Sequence, residues 1–520
     1  MPVSTHFRAE PTDTDWVRRG WGLITLVTLF RLAWLWLAPL DLVPDEAYYW
    51  DWGRHPAWCY FSKPPMIAWV NTVTQALGFT SAPLIRIPAV VFGTIGLMTT
   101  WFLVRRLWGT RAGFFALVLG ATSPGVLALN TLLTIDAPLI ACWSVALYAL
   151  WRALELPAAD GSRTKWWLLY AVAGLLGVLS KQMMLVLPVL ALVFVFTDPA
   201  GRRVRPATYG WLAMPLLALI PLLLWNLRHD WITLRHTAHH FEGPPWTLVQ
   251  GTKFAAEFIG SQLGIIGLVP AVILGMAAGS WSKVRADRRQ WFAWTMTIPP
   301  LAVLLAMSLR QRVQPNWPAV FLLGGTLLSA GWLIENWPRR RTLWRMAAIL
   351  GMTFAFGAYT LVMLIEPLGL AAHKLNLTRR LRGWAQLGAD VGALKARLEA
   401  EGGPPVIVVA HGGRQLASEL AFYLPGQPQV WCWTPPGVVD SQYALWPGPL
   451  PAWRGARVLL VTSKDELPPG LTGGLGQITP LGEILSKGET ALPPRLRIFV
   501  GHNLQPWDHG KPLRDIVPVR

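Results

Sequence analysis

The chain has 520 residues, of which 53% are hydrophobic and only 14% are charged. Soluble domains carry about 25% charged residues, so this composition excludes a disordered protein, a disulfide scaffold and an ordinary soluble enzyme. The balance of 46 basic against 28 acidic residues gives a net charge of +18. The basic residues form short clusters between apolar stretches, as in the cytoplasmic loops of a membrane protein. We therefore expect no nucleic-acid partner.

Eleven apolar stretches in the first two thirds of the chain are candidates for membrane spans. A helix needs about 20 mostly apolar residues to cross a bilayer. The predicted spans lie at residues 21–39, 84–104, 112–130, 137–153, 166–180, 183–197, 207–227, 259–279, 291–309, 318–335 and 343–365. The sequence therefore predicts a polytopic α-helical membrane protein embedded in a lipid bilayer.

The basic clusters predict how the spans are oriented. Arg18 and Arg19 precede the first span, and every second loop after it is rich in arginine and lysine. The positive-inside rule then places the N-terminus in the cytoplasm. The loops at 40–83, 131–136, 180–182, 228–258 and 310–317 face outward in this prediction, as does the chain after about residue 366. We expect a bacterial inner membrane, with the outward side in the periplasm.

The composition changes from Glu366 onward. Hydrophobic runs shorten to strand length and alternate with helix-like stretches. The predicted strands are Val406–Ala410, Val458–Thr462 and Leu496–Val500, and the predicted helices are Leu387–Glu401 and Gln415–Phe422. We therefore predict two domains, a transmembrane domain at 1–365 that carries the loop 40–83, and a small soluble α/β domain at 366–520 on the outer face.

The first outward loop holds most of the candidate chemistry. Asp45 and Glu46 follow the first span, and Tyr49, Tyr60 and Lys63 come soon after. A carboxylate at the membrane edge can act as an acid or base on a hydroxyl group, and a nearby lysine can bind an anionic leaving group. Aromatic rings add stacking faces for sugars. The alternative is an interfacial loop whose charges are solvated and whose aromatic residues form a belt.

Further polar residues lie at the same outward level. Asp136 lies between two apolar spans, where a charge needs a partner or a water-filled cavity, although it could also begin a helix because Pro138 follows. Lys181 either snorkels to the interface or meets a phosphate. Arg310 and Arg312 break the positive-inside pattern. Together with Arg86, Arg228 and His229 they could line an electropositive outer cavity at the level of a donor lipid phosphate. No cofactor is indicated, and no carboxylate cage supports a divalent cation, so we assign no metal site.

The motifs of the chain resemble those of the bacterial C-type (GT-C) glycosyltransferases of the protein-mannosyltransferase and aminoarabinose-transferase kind. They begin in the first loop and continue, in order, through most of the chain. They are PDEAYYW, YFSKPPM, LLTIDAPL, GLLGVLSKQMM, WNLRHDW, RVQPNWPAV, ELAFYLPGQPQV and SQYALWPG. The resemblance implies a multi-spanning inner-membrane enzyme with a periplasmic active site and a sugar donor carried on a polyprenyl phosphate.

The resemblance also implies roles for individual residues. Asp45 matches the acidic residue taken as the catalytic base, and Asp136 matches a second acidic position near the active site. Lys63 matches the basic residue expected near the donor phosphate, and Lys181 matches a lysine between two short spans. The aromatic positions that flank these residues are matched by Tyr49 and Tyr60. Ser62 stands where relatives often carry an acidic residue, which argues against a metal held there.

Three functions are compatible with the sequence. The first is an inverting glycosyltransferase that moves a sugar from a polyprenyl-phosphate donor to a hydroxyl group of a glycan, lipid or protein acceptor. The second is a transporter or flippase of a lipid-linked sugar, although such folds often show internal repeats and we find none. The third is an assembly partner without activity. The sequence favours the first.

Overall fold

In the computed structural model, the described residues form 22 α-helices and five β-strands. The structure describes residues 11–38, 40–157, 160–201, 204–239, 247–370, 376, 378–449, 451–485, 492–493, 495–505 and 507.

The first eleven helices extend from the N-terminus to the predicted seventh span. They are α1 (Asp13–Leu37), α2 (Pro44–Gly53), α3 (Met66–Ala76), α4 (Ala82–Trp108), α5 (Thr110–Thr122), α6 (Pro124–Leu129), α7 (Asp136–Glu155), α8 (Arg163–Ser180), α9 (Val186–Thr197), α10 (Pro206–Ala213) and α11 (Leu219–Leu227).

The second eleven helices complete the helical part and enter the C-terminal region. They are α12 (Ile232–His239), α13 (Leu248–Ile266), α14 (Leu268–Gly279), α15 (Trp281–Ala286), α16 (Arg288–Thr295), α17 (Ile298–Ser308), α18 (Phe321–Glu335), α19 (Arg341–Leu364), α20 (Trp384–Ala400), α21 (Arg414–Tyr423) and α22 (Pro469–Thr472). Short 3₁₀ turns lie at Gln182–Leu185, Met214–Ala218, Trp317–Val320, Arg379–Leu381, Gln442–Leu445 and Pro451–Trp453.

Among the described residues, seven helical segments are long and apolar enough to cross a membrane. They are Asp13–Leu37, Ala82–Trp108, Asp136–Glu155, Pro206–Leu227, Arg288–Ser308, Trp317–Glu335 and Arg341–Leu364. The predicted class of a polytopic helical membrane protein is therefore confirmed. The predicted spans at 112–130, 166–180 and 183–197 correspond to shorter or interrupted helices.

The predicted span at 259–279 is not one straight helix. The segments α13 and α14 meet at a bend of 106°. Gly267 at the break has φ +90°, a left-handed conformation that costs a residue with a Cβ atom more than it costs glycine. The glycine therefore interrupts an apolar stretch whose composition alone resembles a span.

Contacts between Cα atoms divide the chain into two compact units. The first unit comprises residues 1–35, 87–219 and 243–359, and the second comprises 36–86, 220–242 and 360–520. The first unit contains most of the long apolar helices. The interior of the first unit contains an arginine of α1. Arg31 is 1% exposed and donates from Nε to the hydroxyl group of Tyr359 at 3.2 Å.

The second unit contains a five-stranded sheet of order β2-β1-β3-β5-β4. Its strands are β1 (Val406–His411), β2 (Val430–Cys432), β3 (Arg457–Thr462), β4 (Ile478–Leu485) and β5 (Arg495–Gly501). The strand β1 pairs in parallel with β2 and β3, whereas β5 pairs antiparallel with β3 and β4. The predicted C-terminal α/β fold is confirmed, including all three predicted strands and both predicted helices.

The strands β1 and β3 in the middle of the sheet are mostly apolar and almost completely buried. Strand β3 is buried along its whole length, and β1 is buried except at its last residue. Parallel strands covered on both faces show such continuous hydrophobic runs. Helix α21 follows β1 and packs against it, and α21 also packs against α2 from the first loop. The sheet thus supports the helix that faces the candidate site.

Candidate active site

Helix α2 presents the first acidic pair and begins immediately after the first apolar helix. Pro44 occupies its first turn, where a missing N–H costs nothing. The Glu46 carboxylate accepts the N–H of Val43 at 3.0 Å and so caps the helix. Arg86 donates to the same carboxylate from Nε and Nη2, at 3.0 and 2.7 Å. Because Glu46 and Arg86 are 1% and 3% exposed, this pair stabilises the loop from within.

The neighbouring carboxylate, that of Asp45, is open to solvent. Its side chain is 51% exposed, and its Oδ1 atom lies 3.0 Å from Nη2 of Arg414. Among the residues that the structure describes, Oδ2 of Asp45 has no hydrogen-bond partner. Of the two adjacent acids, Asp45 is therefore the one that can reach a substrate.

The predicted aromatic residues lie in the interior of the loop. Tyr60 stacks on Trp52 with ring centroids 4.3 Å apart, and its hydroxyl group donates to the carbonyl of His55 at 3.0 Å. Tyr49 packs edge-on against the same Trp52 ring at 5.1 Å. Both tyrosines are buried, so they shape the loop in this structure, and their contact with a substrate stays a prediction.

Lys63 follows the buried tyrosine on a tight turn of the loop. The carbonyl of Lys63 accepts the N–H of Tyr60 at 3.1 Å, which fixes the backbone at the lysine. Its side chain is half-buried and belongs to the same compact unit as Asp45. The role of Lys63 in phosphate binding stays a prediction.

The C-terminal region holds the first loop at several buried points. Tyr443 donates its hydroxyl proton to Asp51 at 2.6 Å, and the Gln442 backbone N–H donates to the Tyr48 hydroxyl at 2.6 Å. The Gln442 side chain also accepts the N–H of Phe61 at 2.7 Å. Two further contacts of the same kind join Leu42 to Tyr423 and Asp41 to Trp384. The loop that carries Asp45 therefore depends on the C-terminal region for its shape.

Burial shifts the pKa of two carboxyl groups at this junction. Burial raises the pKa of Asp51, against the lowering effects of Arg54 and of the Tyr443 hydrogen bond. Burial raises the pKa of Glu419 well above its ordinary value, and the nearby acids Asp41 and Glu46 raise it further. Neither carboxylate oxygen of Glu419 has a hydrogen-bond partner in the structure. Burial and the neighbouring acids therefore both favour the protonated form of Glu419.

A second polar cluster forms in the helical unit around Asp136, the first residue of α7. Lys181 Nζ donates to its Oδ1 at 2.7 Å, and Asn316 Nδ2 donates to its Oδ2 at 2.7 Å. The Asp136 and Lys181 side chains are only 4% and 8% exposed. The structure thus joins two predicted site residues directly, and Asp136 also begins a helix, as the alternative for this residue expected. The contact of Lys181 with a phosphate stays a prediction.

The predicted outer arginines lie on the surface of the helical unit. Arg312 lies 3.2 Å from Glu257 in an ion pair whose two side chains are 71% and 39% exposed. Arg310 is exposed on the same turn after α17. Their predicted contact with the donor phosphate stays a prediction.

Sequence reasoning missed three residues that shape these clusters. Arg86 was noted only as part of an outer cavity, and Asn316 was noted only as a letter of the RVQPNWPAV motif. The sequence offers no reason to pair Arg414 with Asp45, because the two residues lie in distant regions of the chain. A buried arginine needs a carboxylate partner, and that rule could have paired Arg86 with an acid of the loop.

The fold resembles that of a solved protein. The structure superposes on ArnT from Cupriavidus metallidurans, in its apo state and bound to undecaprenyl phosphate, with a TM-score of 0.64. The match covers 94% of this chain and 98% of that protein at 16% sequence identity. The protein thus has the architecture of the C-type (GT-C) glycosyltransferases.

Sequence comparisons find similarity to one protein family and to individual enzymes. Residues 62–225 match the family described as dolichyl-phosphate-mannose-protein mannosyltransferase. The chain is 26% identical over 439 residues to the lipid A galacturonosyltransferase RgtD of Rhizobium johnstonii, covering 82% of this chain and 87% of that protein. It is 28% identical over 229 residues to an undecaprenyl phosphate-aminoarabinose arabinosyl transferase of Pseudomonas paraeruginosa, covering 40% of each. The chain is thus similar to glycosyltransferases in both sequence and fold, as its motifs predicted.

Proposed function

We propose that the protein moves a sugar, with inversion, from a polyprenyl-phosphate donor to an acceptor hydroxyl group at the periplasmic face of the inner membrane. The observation that carries the proposal is the Asp45 carboxylate on α2, the helix that follows the first apolar helix. One of its oxygens is held by Arg414, and the side chain as a whole is 51% exposed. A base placed at a membrane edge can meet a substrate whose lipid tail stays in the bilayer.

The proposed reaction is a single displacement. The acceptor oxygen attacks the anomeric carbon as the bond from that carbon to the phosphate oxygen breaks. Asp45 takes the proton of the acceptor hydroxyl group, and the electron pair of the broken bond leaves on the polyprenyl phosphate. Since the leaving group departs from the face opposite the attack, the anomeric configuration inverts. The step requires neither a nucleotide nor a redox partner.

The departing phosphate needs cations, for which Lys63 and Lys181 are the proposed residues. The ammonium group of Lys181 is already fixed by Asp136, because an ion pair with the acid sets its direction. Asn316 holds the second oxygen of Asp136 and so keeps the carboxylate in place. On this proposal Asp136 acts through Lys181, and Arg310 and Arg312 guide the anionic donor from the surface.

The periplasmic side is supported by the distribution of basic residues. Arginine and lysine concentrate on every second loop, which the positive-inside rule assigns to the cytoplasm. The loop that carries Asp45 lies on the opposite side in this scheme. Since the relative aligned over 439 residues is named for lipid A, an envelope glycolipid is the acceptor to test first.

Mass spectrometry of envelope lipids and glycans tests the proposal. A strain without the gene should lack a product that is heavier by one sugar, and the wild-type gene should restore it. Asp45→Asn should not restore the product, although the protein should still fold and enter the membrane. Asp390→Asn, which changes a partly exposed acid on α20, serves as the matched control. Full restoration by Asp45→Asn would refute the base assignment, and lipid exchange between leaflets without transfer would favour a transporter.

A further inference from the structure

The backbone around Arg414 is fixed by two glycines. Arg414 is the first residue of α21 and follows Gly412 and Gly413 at the end of strand β1. Gly413 has φ +101°, a conformation that strains any other residue. A Cβ atom on Gly412 would lie 2.2 Å from Oγ of Ser463. The tight turn therefore fixes the position of the Arg414 backbone.

The guanidinium group of Arg414 contacts one face of α2. Its Nη2 lies 3.0 Å from Oδ1 of Asp45, and its Cζ lies 4.5 Å from the ring centroid of Tyr48. Asp45 and Tyr48 are three residues apart, so they share a face of the helix. Tyr48 is 1% exposed, and its hydroxyl group accepts the N–H of Gln442 at 2.6 Å. The buried ring thus gives the arginine a rigid platform beside the acid.

The charge of Arg414 is secured by its surroundings. Burial alone would lower the pKa of this guanidinium group, but Asp45, Tyr48 and Tyr49 together raise it above its usual value. The arginine therefore stays charged at neutral pH. The ion pair is nevertheless reachable from solvent, since the two side chains are 35% and 51% exposed.

We propose that Arg414 is a positioning residue that orients the Asp45 carboxylate for proton abstraction, and that the C-terminal α/β region takes part in transfer by supplying it. Arg414 holds Oδ1, so that Oδ2 is directed to the acceptor hydroxyl group. This inference rests on the proposed role of Asp45 as the base. Lysine cannot replace Arg414 fully, because an ammonium group does not combine the ion pair with stacking on Tyr48.

The expected effect is on turnover. Misplacing a catalytic group by about 1 Å can cost on the order of 100-fold in rate. Arg414→Ala should therefore lower kcat about 10- to 100-fold while the half-saturating substrate concentration stays within about twofold. Arg414→Lys should recover part of the loss. Added methylguanidine should raise the rate of Arg414→Ala and leave that of Arg414→Lys unchanged.

The test uses the full-length protein in washed membranes. The probe is a total lipid extract from a strain without the gene, titrated against each variant, with the heavier product measured by mass spectrometry. Arg397→Ala is the matched control, because Arg397 lies on α20 of the same region and is 80% exposed. Its kcat should equal that of the wild type. Thermal unfolding of each variant separates loss of fold from loss of turnover.

A double variant decides whether Arg414 acts through Asp45. If it does, Asp45→Asn with Arg414→Ala should be no slower than Asp45→Asn alone. Wild-type kcat in Arg414→Ala, or losses that simply multiply in the double variant, would overturn the inference. Full activity of Asp45→Asn would instead refute the proposed function, so the two failures are distinguishable.

Discussion

The ammonium group of Lys181 lies 2.7 Å from the carboxylate of Asp136, and both side chains are almost completely buried. Removing one partner of a buried ion pair typically costs about 3–5 kcal/mol, because the other charge is left without compensation. We therefore expect Lys181→Met to lower the thermal unfolding temperature in detergent strongly. The double variant with Asp136→Leu should regain much of that stability but no transfer. Stability that fails to return would mean that the pair does not act as a unit.

Glu46 should matter for folding more than for chemistry. Its carboxylate caps α2 and neutralises Arg86 in the interior. Glu46→Gln leaves the arginine charge unpaired, so we expect a loss of a few kcal/mol of stability. Transfer per folded molecule should stay within about tenfold of the wild type, since an uncharged amide can still accept the capping bond. A loss of transfer as complete as in Asp45→Asn, at normal stability, would instead make Glu46 catalytic.

Glu419 should make the protein less stable as the pH rises. The pKa of its buried carboxyl group is raised in the folded state, so the folded protein holds a proton that the unfolded chain releases above its own, ordinary pKa. The stability due to this group is therefore present below the unfolded pKa and falls as the pH rises towards the folded pKa. Glu419→Gln should remove this dependence and stabilise the protein at neutral pH. Unfolding temperatures of both proteins measured across a pH series check this, and parallel curves would contradict it.

Tyr443 should be needed for the shape of the first loop. Its hydroxyl group donates to the fully buried Asp51, whose pKa is raised by burial. Tyr443→Phe leaves Oδ2 of that carboxyl group without this donor, while Arg54 still donates to Oδ1, and should cost about 1–3 kcal/mol. Limited proteolysis of the loop 40–83 should become faster. Tyr209→Phe, at a partly exposed tyrosine of α10, is a suitable control and should leave the cleavage rate unchanged.

Lys63 should affect affinity for the lipid phosphate. If it binds the departing phosphate, Lys63→Gln should weaken product inhibition by undecaprenyl phosphate by roughly tenfold, as expected for loss of one charge-assisted hydrogen bond. Lys63→Arg should retain most of the inhibition. Measuring the inhibition constant in membranes tests this. Unchanged inhibition by undecaprenyl phosphate in Lys63→Gln would contradict the proposed role.

The sequence predicted the central strands of the sheet but not its edges. Strands β1 and β3 are mostly apolar and almost completely buried, and β5 buries Leu496, Ile498 and Val500, so their composition reveals them. Strand β2 has only three residues, and β4 is mostly exposed and carries Pro480, Gly482 and Glu483. Edge strands meet one neighbour only, so their sequences need no continuous hydrophobic run.

The sequence indicated site residues only where they stand in short continuous motifs. Asp45, Asp136, Lys63 and Lys181 stand in short motifs beside apolar spans, so their positions suggested a role. The partners that fix Asp45 and Asp136 are Arg414 and Asn316, which come from distant parts of the chain. Nothing in the amino-acid pattern links these pairs, because tertiary folding alone brings them together.

The buried bonds between the first loop and the C-terminal region set a rule for engineering chimaeras. Exchanging residues 360–520 with the same region of a relative would leave Asp51, Tyr48 and Leu42 facing groups that had not been selected to meet them. A functional chimaera must therefore take three separated segments, 36–86, 220–242 and 360–520, together from the same parent protein.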